Sequence, residues 1–127
     1  MSNATQIQMK LVTVNKATIN QLNWLISKIL GEVYLSEAGY DGIGHRHEAT
    51  AYATDWAQGG PLFSEAGIAA FRMIGLEDKV FWGARSETEN GTALAAYGQG
   101  DTELIAKARC YISLRLGENA EVPEELA

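Results

Sequence analysis

The chain has almost no cysteine: Cys110 is the only one in 127 residues. An intrachain disulfide is therefore excluded, as is a zinc site built on cysteines. A reducing cytoplasm is the expected compartment. Long hydrophobic runs are also missing. None approaches the about 18 residues that a membrane span needs, and no basic-then-apolar leader opens the chain. Neither a membrane partner nor secretion is expected. Basic charge is in deficit, with 10 Lys and Arg against 16 Asp and Glu and a net charge of −6. Strong nucleic-acid binding, which works by neutralising phosphates, is not expected on that balance.

What is present describes a folded domain. Hydrophobic residues make up 46% and charged residues 20%, enough apolar surface for a core and too little charge for disorder. Residues 1–127 read as one domain, with 1–5 carrying no structural signal and 118–127 forming an acidic tail, either loose or docked through Val122. No repeat, linker or low-complexity segment interrupts it.

Periodicity supplies the elements. Residues 6–14 alternate and predict a strand. Thr18 with Gln21 forms a capping box ahead of a helix over 19–30, stopped by Gly31. Ile19, Leu22, Leu25, Ile26, Ile29 and Leu30 share one face. Trp24 falls on the opposite side and reads as an oligomer contact or a second packing layer. Residues 32–35 and 49–53 suggest short strands joined through Asp41-Gly42. Pro61 fits the first turn of a short helix over 61–66. Strands follow at 68–74 and 79–85, turning at 75–78. Another strand at 92–97 follows a turn at Asn90-Gly91. The last helix is capped by Asp101 or Thr102 and runs to Gly117, with Leu104, Ile105, Ala108, Tyr111, Ile112 and Leu116 inward. Cys110 and Leu114 fall on its back. The expected fold is α+β: an antiparallel, meander-like sheet with the N-terminal and C-terminal helices packed on one face and a short helix after the DWAQGGP loop.

Candidate chemistry is sparse. Asp55 beside Trp56 offers a carboxylate acceptor and a stacking face. Gln58, Gly59 and Gly60 would let backbone N–H groups approach a ligand, with a helix N-terminus behind them. Arg109 or Arg72 is the candidate partner for an anion, since arginine among aromatic rings suits nucleotides. The alternative is structural: Asp55 caps a turn and Trp56 is core. His45 and His47 could share a metal from one strand face, but no third ligand has suitable spacing, so no metal is assigned. No phosphate-loop pattern and no G-x-S-x-G elbow occurs, and no cofactor or catalytic residue is assigned.

Three stretches together resemble the NinX-like family of tailed-phage and prophage proteins, a domain of unknown function. They are "LNWLISKILG" in the first helix, "ATDWAQGGPLFSEAGI" in the middle and "ARCYISLRLGENAEVPEEL" at the end. The family's T-D-W-A-Q-G-G-P falls on Thr54 to Pro61, its R-C-Y on Arg109, Cys110 and Tyr111, and its V-P-E-E-L on Val122 to Leu126. The family's aspartate before the first tryptophan is Asn23 here, and the proline expected near Tyr52 is missing. The resemblance implies an accessory phage protein and no defined activity.

Three functional expectations follow. The first is a non-enzymatic, homo-oligomeric binding protein that holds a small nucleotide-like ligand. The second is an adaptor for a host or phage protein of replication or recombination, making contact through Trp24, Leu114 and the acidic tail. The third is a small hydrolase or nuclease using His45 and His47.

Overall fold

The computed structural model describes residues 8–36, 39–42, 50–87, 94–124 and 126. Within them the fold is α+β, with antiparallel strands and three α-helices. The expected single sheet is divided into three ladders. Strand β1 (Met9–Thr13) pairs with the C-terminal β7 (Asn119–Pro123), β2 (Val33–Ser36) pairs with β3 (Gly39–Gly42), and β4 (Ala69–Ile74), β5 (Val80–Glu87) and β6 (Leu94–Gly100) form a meander in that order. The last of these is the meander read from residues 68–97.

Helix α1 (Ile19–Ile29) starts as its sequence predicts. Gln21 N–H donates to Thr18 Oγ1 at 3.2 Å, and Thr18 N–H donates to Gln21 Oε1 at 2.9 Å, completing the capping box. Its burial differs from expectation. Gln21 through Ser27 are all buried, and Trp24 is 0% exposed. Trp24 is therefore core and offers no oligomer or adaptor surface. The stripe was read for a helix with one inward face, but α1 is covered from several sides. It packs on the long helix α3 (Glu103–Leu116), on β2 and on β7, while its polar side chains reach other segments. Gln21 Nε2 donates to the Leu126 carbonyl at 3.0 Å, and Asn23 Oδ1 accepts from Ala53 N–H at 2.8 Å. Both pairs satisfy polar groups that burial would otherwise leave costly.

The acidic tail is a strand and docks as one. Val122 is fully buried and Leu126 is 2% exposed, and Glu124 N–H donates to the Gln8 carbonyl at 2.7 Å. Burial removes Trp24 from the adaptor surface, while Glu118, Glu121 and Glu124 of the docked tail stay exposed.

Helix α3 is the centre of the molecule. One side lies on the meander and the other meets α1 and α2 (Trp56–Glu65). Sandwiched in this way it buries Cys110 and Ala106 as fully as Leu104 and Ile112, and Leu114 packs against the core. Cys110 is thus fully buried and Leu114 half-buried against the core. Its N-cap is Thr102, whose Oγ1 accepts from Ile105 N–H at 3.1 Å. Close approach to β6 requires Gly98: a Cβ there would collide with the Cys110 amide nitrogen and the Ala106 carbonyl.

Two turns depart from the sequence reading. Asp41-Gly42 sits inside β3, paired with Tyr34 and Val33 of β2, and makes no turn. Residues 52–54 form a turn rather than a strand. The Asn90-Gly91 turn and the His45-His47 pair lie outside the described residues. No helix among the described residues is long and apolar enough to cross a membrane.

Candidate functional site

Helix α2 begins earlier than Pro61. Asp55 is its N-cap, with Ala57 N–H donating to Asp55 Oδ1 at 3.0 Å. Asp55 outcompetes Pro61 as a helix start because its carboxylate satisfies an orphan donor and complements the positive end of the helix dipole. Pro61 then lies inside the helix, where its missing N–H removes one backbone bond. Gly59 is obligatory here, since a Cβ would strike the Tyr52 carbonyl oxygen and come within 2.9 Å of the Phe63 ring. Gly60 faces Trp56, whose Cε3 would lie 3.2 Å from an added Cβ. The glycines serve helix packing in the structure.

Trp56 is exposed, 51% of it accessible, so it is not core. The Lys107 ammonium sits 5.1 Å from the centre of its ring and 3.1 Å from Glu103 Oε2. Lys107, not Arg109, is the α3 cation that meets this tryptophan. Gln58 is exposed on α2, and Arg72 is exposed on β4.

Arg109 belongs to a different place. Its Nη2 donates to the Ala17 carbonyl at 2.8 Å and its Nη1 to the Gln99 carbonyl at 2.7 Å. The guanidinium ties the end of β6 to the turn before α1. Its Nε–H is buried without a partner. Burial lowers the arginine from its ordinary pKa, and the Asp101 carboxylate opposes that shift.

These contacts border a cleft of about 310 Å3, lined by Asn15, Lys79, Val80, Phe81, Gln99, Gly100, Asp101 and Arg109. The cleft forms where β5 begins and β6 ends, beside the short 3-10 turn Val14–Lys16. Its polar lining is biased toward donors. Asn15 Oδ1 accepts from Gln99 N–H at 3.0 Å, and Gln99 Oε1 accepts from Tyr97 Oη–H at 3.3 Å. Both amides thus commit their oxygen to protein, and their NH2 groups have no bond among the described residues. Among the described residues Lys79 has no ion pair, and Asp101 is the one carboxylate of the lining. Phe81 adds an aromatic face.

Of these residues only Arg109 stands out as a ligand contact in the sequence. Asn15, Lys79, Phe81, Gln99 and Asp101 come from separate turns and strand ends, and no spacing joins them. Strong acid–base chemistry is not legible in the cleft, and no group of three His, Cys, Asp or Glu side chains among the described residues could hold a metal.

No family model matches the chain, and no curated protein matches it. Neither comparison supports a description of the chain as a NinX-like phage protein.

Proposed function

We propose that this protein is a non-catalytic binding protein for a small anionic, nucleotide-like ligand, held in the cleft between Lys79, Phe81, Gln99 and Arg109. The observation that carries this reading is the donor bias of the lining. Two amide NH2 groups, an ammonium and a guanidinium border one concave space beside an aromatic ring. Such a set matches a ligand rich in acceptors with one planar part and one negative group. It also gives local positive charge on a chain whose net charge is −6, which favours a compact anion over a long nucleic acid.

The contacts then lie away from Asp55, Gly59 and Gly60, which α2 uses for capping and packing, and away from the exposed Gln58. Arg109 stays, as the fixed cation at the cleft wall. The test is a thermal-shift panel of nucleoside mono-, di- and cyclic phosphates. A ligand at 100 times its Kd stabilises by about 2.7 kcal/mol. A bound compound should raise the midpoint by several degrees, and Lys79→Ala should abolish the rise without changing the midpoint of the free protein. A flat panel with well-folded protein counts against the reading.

A further inference from the structure

We propose that two copies of this chain associate through β4, pairing antiparallel about a two-fold axis at Phe71 to make a continuous six-stranded sheet. Strand β4 is the edge of the meander. It pairs with β5 on one side and with no strand on the other among the described residues. Its exposure runs along its length, with Ala69, Phe71, Arg72 and Ile74 exposed and Ala70 and Met73 half-buried.

An exposed edge offers a row of unpaired N–H and C=O groups, which proteins normally guard with charged side chains, above all lysine, or with proline, a bulge or a short strand, and on β4 the single exposed Arg72 is the one charge. Residues 69–74 carry no lysine and no proline. The β4–β5 register is unbroken, whereas β5–β6 contains a bulge. Exposed apolar groups gather here as well. Phe71 is 37% exposed, Ile74 68% and Val80 48%, and Leu76 at the hairpin tip is 91% exposed. Apolar exposure at this density marks an association surface.

The occupant is a second copy because the strand is complementary to itself. Facing residues in an antiparallel ladder share a face of the sheet. A two-fold perpendicular to the sheet must therefore pair a residue with its own equivalent. Centred on Phe71, it sets Phe71 against Phe71, Arg72 against Ala70, and Met73 against Ala69. Arg72 and Met73 each meet an alanine, and the two guanidinium groups stay apart. Centred on Arg72, the same operation would set two arginines face to face, which is repulsive. On the outer face Phe71 and Met73 fold over the bare Gly83, where a Cβ would come within 2.7 Å of the Phe71 ring. The Arg85 guanidinium lies 6.0 Å from the Phe71 ring centre, and the Tyr97 ring lies 6.5 Å away. The phenylalanine pair would extend this cluster across the axis. Such an isologous contact closes as a dimer and leaves no further edge at β4.

The experiment is sedimentation velocity on the full chain across a concentration series, with Phe71→Lys and Phe71→Glu run separately and mixed. The wild type is expected as a dimer at micromolar concentration. Each variant alone sets like charges directly opposite and is expected to weaken the dimer at least 100-fold. The equimolar mixture, with opposite charges across the axis, is expected to restore it, which also shows both variants to be folded. A wild type monomeric at several hundred micromolar, or variants that stay dimeric, would overturn the proposal. Variants that dissociate and do not re-form a dimer on mixing would overturn the register about Phe71.

Discussion

Arg109 on α3 holds the Ala17 carbonyl at 2.8 Å across 92 residues of sequence. With its second bond to Gln99, it fixes the wall of the cleft to the entrance of α1. Charged hydrogen bonds of this kind contribute about 1.5–3 kcal/mol each. A lysine has a single ammonium and cannot span two carbonyls in fork geometry. Arg109→Lys is expected to lower the unfolding free energy by about 2 kcal/mol in a urea titration, and to weaken ligand binding in the same protein. Lys79→Ala should affect binding alone.

Asn23 is expected to matter as an acceptor. Its Oδ1 is the partner of the Ala53 amide, and both residues are buried. Asn23→Ala leaves that N–H without a partner at a cost of about 1–3 kcal/mol. Amide hydrogen exchange at Ala53 should accelerate in the variant by at least tenfold. Unchanged protection would show that the bond does not hold the loop.

Gly59 admits no side chain. Gly59→Ala drives a methyl group into the Tyr52 carbonyl, and overpacking of that kind costs about 1–3 kcal/mol. Gly60 has only the Trp56 ring nearby, and that ring is half exposed and can move. Gly60→Ala is therefore expected to be tolerated, helped by the better helix propensity of alanine. Thermal midpoints of the two variants should separate clearly, with Gly59→Ala the lower.

Alkaline pH should destabilise the fold in two steps. Burial pushes the Cys110 thiol up to about 11 from 9.0, and burial with the Glu32 carboxylate pushes Tyr52 up to about 12 from 10.0. Tyr52 Oη–H donates to Glu32 Oε2 at 2.7 Å. In both cases the unfolded chain loses its proton first. The stabilisation is complete below the unfolded value and is lost as pH rises through the folded one. Stability should begin to fall near pH 9 and steepen above pH 10, at up to about 1.4 kcal/mol per pH unit for each group. Cys110→Ala should remove the onset between pH 9 and 10 and leave the later loss, as followed by chemical denaturation at each pH.

Much of the local structure was legible in the sequence. Thr18 with Gln21, Thr102 and Gly117 marked real helix ends, because capping chemistry is local and needs only neighbouring backbone groups. The strands around the 75–78 turn were legible for the same reason. Of the two readings of Trp24 the second packing layer holds, because helical periodicity assumes one covered face and α1 is covered on several. Pro61 was read as a helix start because its preference for a first turn is strong. Asp55 and the packing of Gly59 against Tyr52 prevailed, and the second of these is a tertiary contact that no local pattern records. The cleft was the least legible feature. Asn15, Lys79, Gln99 and Arg109 meet only after β5, β6 and α3 have assembled, and the donor bias depends on which amide atoms the fold has already used.

The most direct test of the binding account is residue-resolved chemical-shift mapping with a nucleoside monophosphate that stabilises the protein. The account predicts the largest perturbations at Asn15, Lys79, Phe81, Gln99 and Asp101, and their loss in Lys79→Ala. Perturbations confined to Trp56, Gln58 and Lys107, with the cleft silent, would contradict it and move the site to the first turn of α2.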